Sequence, residues 1–145
     1  MIGLLQRVSE ASVEVGGERI GAIDRGLLVL VAVQRDDQDS NVVRLAERIL
    51  TYRVFPDAAG RMNHSVLDEG LGLLLVPQFT LAADTNKGAR ASFTRAATPD
   101  KGAAFFDRLV SICSQRLERV ATGRFGANMQ VRLINDGPVT FWLES

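Results

Sequence analysis

One cysteine and one histidine among 145 residues remove most conventional active-site chemistry before any motif is read. The lone Cys113 excludes an internal disulfide, in keeping with the cytoplasm, which is the expected location. One histidine and one cysteine cannot furnish an ordinary zinc site, and no acidic pair has metal-ligand spacing, so no metal is expected. A Ser-His-Asp triad would have to use His64, which lies in the polar, turn-like stretch Arg61-Met62-Asn63-His64-Ser65 and reads as an exposed loop residue. Cys113 falls on the apolar face of a helical stretch and reads as core. No glycine-rich phosphate loop follows a strand, since Gly60, Gly70 and Gly72 are too loosely placed, and no cofactor is expected. Neither charge is in excess, with 17 basic and 17 acidic residues, so no bulk field draws in a nucleic acid. The longest apolar run, Leu27 to Val33, is strand-sized, which argues against a membrane span. The opening Met1 to Arg7 lacks the basic head and apolar stretch of a signal peptide.

What is present is ordinary globular material: 46% hydrophobic and 23% charged residues, enough for one domain over residues 1–145. Ser12-Val13-Glu14-Val15 alternates polar and apolar, Gly16-Gly17 marks a hairpin turn, and Glu18 to Ile23 forms the return strand. Leu27 to Val33 and Leu71 to Val76 are apolar throughout, the mark of strands buried on both faces. Helical spacing takes over at Val42, Leu45, Ala46, Ile49 and Leu50, with Asp39 or Ser40 placed to cap. A second helix opens at Thr98-Pro99-Asp100 and runs to about Val120, with Phe105, Phe106, Leu109, Ile112, Cys113 and Leu117 on its apolar face. A polar loop from about Ala83 to Ala97 is longer than compact domains usually carry without a use for it. Gln130 to Leu143 returns to strand alternation. The expected fold is α/β: a curled, mostly antiparallel, barrel-like sheet with two helices on one side. Such a sheet leaves a face and edges uncovered, so a homodimer is expected.

Two segments stand out chemically. Gln78-Phe79-Thr80-Leu81 emerges at the end of a buried strand and offers an amide side chain, a hydroxyl and backbone N–H groups, a set able to hold a carbonyl, a ribose edge or a water. Asn135-Asp136-Gly137-Pro138-Val139-Thr140 interrupts the last strand with a Gly-Pro step. Proline has no ladder donor, so the carbonyls of Gly137 and Pro138 are left free there. Between the two segments lies a local basic stretch, Lys87, Arg90, Arg95 and Lys101, opposed only by Asp84 and Asp100, the best candidate for touching RNA.

Together with Ala82-Ala83-Asp84-Thr85 and Phe125-Gly126-Ala127-Asn128-Met129, these segments resemble the bacterial and eukaryotic D-aminoacyl-tRNA deacylase family. The resemblance extends from Gln6-Arg7-Val8 and Ala11-Ser12-Val13, through Gly26-Leu27-Leu28-Val29 and Met62-Asn63, to the last strand. The family pairs Ser-Gln-x-Thr-Leu with Asn-x-Gly-Pro-x-Thr. Here the second motif is intact, and the first has Pro77 where serine is usual, which excludes a serine nucleophile at that position. Ala91 likewise stands where proline commonly follows the Lys87–Arg90 loop.

The resemblance implies a homodimer acting on the 3′ end of aminoacyl-tRNA, with active sites at the interface and no membrane association. It implies that Gly137-Pro138 is cis and reaches into the partner's pocket, where its carbonyls accept hydrogen bonds from the substrate's α-ammonium. Arg7 would hold that step, Met129 would lie beside the pocket, and Asn135 and Thr140 would complete the binding motif. Catalysis would rest on Gln78, Phe79 and Thr80, with the amide of Phe79, of Thr80 or of both polarising the ester carbonyl and the ribose 2′-hydroxyl positioning a water. A D-side chain would face open space and an L-side chain would strike the Gly-Pro backbone, while glycyl-tRNA would be accepted. Two other readings carry different expectations: an editing domain for L-aminoacyl-tRNA, and a catalytically silent nucleic-acid-binding dimer, which Pro77 alone favours.

Overall fold

Strands in this chain come in two kinds, alternating and uniformly apolar, and the computed structural model, which describes residues 1–145, places both in one six-stranded sheet. β1 (Ile2–Val15) is the long organising strand. Along one edge it pairs antiparallel with β8 (Met129–Glu144); the other edge is shared by β3 (Gly26–Ala32), opposite residues 2–8, and β2 (Glu18–Ile23), opposite residues 11–15. Gly16 and Gly17 make the β1–β2 turn with φ of 58° and 81°, values a side chain resists. β3 then pairs parallel with β6 (Gly72–Pro77), and β6 parallel with β7 (Val120–Thr122). β7 comes back against β2 so closely that a Cβ on Gly21 would lie 2.7 Å from the Thr122 carbonyl, which nearly closes the sheet into a barrel.

The uniformly apolar strands owe their pattern to this closure. In β3 and β6, Leu27, Val29, Val31, Leu73 and Leu75 face a core shared with the helices, and Leu28, Leu74 and Val76 point into the barrel with Val8, Ala11 and Val13. Burial of each such Leu or Val contributes roughly 1.5–3 kcal/mol, so the two faces act together. Helices α1 (Asp39–Thr51) and α3 (Pro99–Arg116) cover the outer face through Val42, Leu45, Ile49, Phe106, Leu109 and Cys113.

Several expectations change. The sheet is mixed: β3 and β6 are joined through α1, and β6 and β7 through α3, and a strand–helix–strand crossover sets its two strands parallel. A third helix, the single turn α2 (Val66–Glu69), was absent from the expected pair because one turn has no periodicity. It is defined by its ends, where Ser65 and Asp68 cap each other and Gly70 closes in the left-handed region with φ of 59°. Met62–His64 is a short strand, β5, paired with β4 (Phe55–Pro56). His64 therefore sits at a ribbon end, hydrogen-bonded to Glu69. α1 is capped one residue earlier than expected, at Gln38, whose amide donates to Asn41 Oδ1 at 2.7 Å. α3 stops at Arg116, because Val120 belongs to β7. No helix is long and apolar enough to cross a membrane.

Candidate active site

The last strand leaves the ladder at one place. Gln6 pairs with Thr140 and Val8 with Asn135, so Asp136, Gly137, Pro138 and Val139 stand opposite the single residue Arg7 and pair with nothing across the ladder. The excursion is held by side chains. Asn135 accepts from the Val139 amide at 2.9 Å and donates to Thr140 Oγ1 at 2.7 Å, closing the neck of the loop. Arg7 donates through Nε to the Asp136 carbonyl at 3.1 Å and through Nη1 to the Val54 carbonyl at 2.6 Å, anchoring the loop to the core. Gly137 has φ of 110°, and a Cβ there would lie 2.6 Å from Arg7 Nη2. Arg7, Asn135 and Thr140 thus position the segment, while Gly137 and Pro138 are exposed.

The Gly137–Pro138 bond is trans, as is every peptide in the chain, which corrects the cis step implied by the resemblance. Trans is the lower-energy isomer by about 0.5–1 kcal/mol, and the positive φ of Gly137 supplies the change of direction instead.

The other motif lies at the opposite end of the parallel strands. The Gln78 amide donates to the Val31 carbonyl at 2.7 Å, and Phe79–Ala82 then winds one 3-10 turn. As the first residues of that turn, Phe79 and Thr80 have amides with no acceptor inside it. The Gln78 side chain donates to Thr80 Oγ1 and braces the turn. Pro77 fits where it is: successive strand amides point to opposite sides, so its missing donor faces the β7 side, where β7 pairs no further than Leu75 with Thr122. Met129 joins this motif, since Gly123 is flanked by the Met129 sulfur and the Pro77 ring, 2.7 Å and 3.3 Å from where a Cβ would stand.

Within one chain the two motifs do not meet. Gly137-Pro138 is level with Arg7 on β1; Gln78 is level with Val31, which pairs with Gly3. Four strand residues separate the levels, about 14 Å, and three strand spacings lie between β8 and β6, about another 14 Å in a flat sheet. Apart from Arg7 and Asp136, neither motif holds a titratable group, so the chemistry is that of backbone amides and carbonyls, the side-chain amides of Gln78 and Asn135, and the hydroxyls of Thr80 and Thr140.

The sequence model for D-Tyr-tRNA(Tyr) deacylase matches residues 4–144. The chain belongs to that family. It is a family of hydrolases. Among its relatives, the D-aminoacyl-tRNA deacylase of Alkalilimnicola ehrlichii is 64% identical over 145 residues, covering 100% of this chain and 97% of the relative. That of Pseudomonas aeruginosa is 57% identical over 145 residues and 100% of both chains. Among solved structures, the c-Myc DNA Unwinding Element Binding Protein superposes with a TM-score of 0.95 at 39% identity, covering 100% of this chain and 99% of that one. A probable eukaryotic D-amino acid tRNA deacylase superposes at 0.87 with 18% identity, over 99% and 98% of the two chains, a likeness of fold.

Set against this deacylase family, the sequence motifs fall into two groups: Gln78, Phe79, Thr80 and Met129 at one end of the barrel, and Arg7, Asn135, Gly137, Pro138 and Thr140 at the β8 excursion. Sequence reasoning missed Val54, whose carbonyl anchors Arg7, because nothing local marks a buried carbonyl as an acceptor. It also missed Arg35, which lies beside Arg95 in space and sixty residues away in sequence.

Proposed function

We propose that a dimer of this chain hydrolyses the ester joining a D-amino acid to the 3′ end of tRNA, in the cytoplasm, with residues 1–145 as the catalytic unit. The observation that carries the reading is the separation within one chain of two exposed segments, Gly137-Pro138 and the Phe79–Thr80 turn, each offering unpaired backbone groups. A second copy related by a two-fold axis would set Gly137-Pro138 of one protomer against the Gln78–Thr80 turn of its partner. One face of the sheet suits that contact: Trp142 is 50% exposed, in a cross-strand row with half-buried Leu4 and Leu30 and beside Gln6 and Thr140. An exposed aromatic on a long edge strand is a liability in a monomer and an anchor in a dimer.

In such a site the unpaired carbonyls of Gly137 and Pro138 accept from the substrate's α-ammonium. The free amides of Phe79 and Thr80 donate to the ester carbonyl oxygen, where one such donor is worth about 2.7–4 kcal/mol in the transition state. An aminoacyl ester is already activated, so a water placed by the ribose 2′-hydroxyl completes the attack without a side-chain base. With ammonium and carbonyl both held, the two remaining directions at Cα differ: one opens outward and the other runs into the Gly-Pro backbone. A D-side chain takes the first, an L-side chain meets the wall, and glycine has nothing to reject. The Thr80 hydroxyl acts through the turn it braces, so Thr80→Ala should retain measurable turnover; complete loss in a folded variant would mean that the hydroxyl takes part in the chemistry.

The test is release of tyrosine from matched D- and L-tyrosyl-tRNA. Fast release of the D-residue with the L-ester untouched is expected. Equal rates for the two, or none for either, would overturn the reading.

A further inference from the structure

We infer that the open cleft between Gln34–Asp37 and Thr94–Arg95 is a phosphodiester track for the single-stranded 3′ end of the substrate RNA, with Phe93 as a stacking surface for one of its bases. The inference rests on the deacylase reading and extends it to the way the RNA end is held. The cleft measures about 460 Å³ and is lined by Gln34, Arg35, Asp36, Asp37, Thr94 and Arg95, with no apolar residue. It opens at the same end of β3 as the Gln78 turn: the Gln78 amide takes the Val31 carbonyl, and four residues on, the Arg35 amide takes the Arg95 carbonyl at 2.9 Å. That offset is about 13 Å of extended chain, within reach of a couple of nucleotides.

Charge in the cleft is unbalanced. Arg7, Arg108, Arg116 and Arg132 each face a carboxylate, whereas the guanidinium groups of Arg35 and Arg95 have neither an ion pair nor a hydrogen bond. Asp37, the buried acid of the cleft wall, is already engaged on both oxygens, by the Met1 ammonium at 2.6 Å and by the Gln34 amide at 2.6 Å. Asp36 is the one carboxylate left against two free guanidinium groups, and Lys101, whose Nζ donates to the Arg35 carbonyl at 2.6 Å, adds a third cation at the rim. Two unpaired guanidinium forks over a polar floor match phosphate oxygens in geometry and charge.

The wall continues into an aromatic surface. Phe93 directly precedes Thr94 and is 44% exposed; its ring lies 5.1 Å from that of Phe79, which is 56% exposed. An apolar step therefore connects the turn that would hold the ester to the cleft that would hold the phosphates. Basic groove and exposed aromatic side by side are what sequence-tolerant binding of single-stranded nucleic acid requires.

The experiment is fluorescence anisotropy of a labelled, uncharged RNA hairpin of acceptor-stem form ending in single-stranded ACCA, titrated with the full chain over a range of salt. Arg35→Ala/Arg95→Ala is expected to weaken binding about tenfold and to flatten the log K against log salt slope by about 1.4, or 0.7 per lost single-strand phosphate. Arg35→Lys/Arg95→Lys should recover the slope. Phe93→Ala should weaken binding several-fold at unchanged slope. Arg119→Ala, an exposed cation at the far end of β6, should behave as wild type. Equal affinity and slope for the double alanine variant and the wild type would overturn the track. Because this readout needs no turnover, a wild type that binds as described yet releases no D-tyrosine would overturn the deacylase reading and leave the track standing.

Discussion

Gly137 is where a single added carbon meets the most resistance. Its φ of 110° is one that L-residues rarely adopt, and the carbon would fall 2.6 Å from the guanidinium that anchors the loop. Gly137→Ala should therefore fold normally, since the segment is exposed, and lose about a hundredfold in kcat/KM, the usual consequence of moving a positioned group by an ångström. Circular dichroism together with turnover on D-tyrosyl-tRNA checks this, and near-wild-type turnover would remove Gly137 from the site. At Cys113, burial pushes the thiol up to about 12, with Arg116 pulling weakly the other way. A disulfide reagent at pH 8 should label no thiol in the folded protein and one after denaturation; rapid labelling of the native state would contradict the core assignment. The break in the last strand at Gly137-Pro138 was legible in the sequence because its backbone demands are written in residue type, whereas the isomer of the bond was not. The clamp made by Arg7, Val54 and Asp136 was legible only at Arg7, since its other two members contribute carbonyls, which every residue has.

At the scale of elements, the long periodic segments were readable and the short ones were not. α1 and α3 each present several turns of apolar spacing, and β3 and β6 announce two-sided burial. What the residues do not spell out is pairing direction, which depends on where each crossover helix lands. α2 and the β4–β5 ribbon carry their information in polar ends. Asp57 accepts from Asn63 and from the Arg61 and Ala59 amides, Asp68 accepts from the amide and hydroxyl of Ser65, and these bonds hold both carboxyls below the ordinary value of 3.8. A depressed folded value means that their contribution is fully present above pH 3.8 and fades as pH falls through the lower, folded values. The carboxyl carbons of Asp57 and Asp68 should thus titrate below 3.8 in NMR spectra. A midpoint at or above 3.8 for Asp68 would mean that the Ser65 cap does not form in solution.

In the proposed dimer the site needs two copies of the chain, because its two motifs lie apart within one. The order of the motifs in the sequence gives no hint of their separation, because periodicity does not set how far apart two segments lie in the fold. The fold supplies the separation, by placing one motif at the end of β6 and the other at the excursion of β8. Trans complementation tests this most directly. Gly137→Trp damages one half-site; Phe79→Pro removes the amide of the other at a first-turn position that tolerates proline. Each variant alone should be inactive on D-tyrosyl-tRNA. Refolded together in equal amounts, they should recover about a quarter of wild-type activity, because one site in four of a random two-fold dimer then combines two intact halves. A mixture that forms heterodimers and stays as inactive as its parents would contradict a site built from two copies.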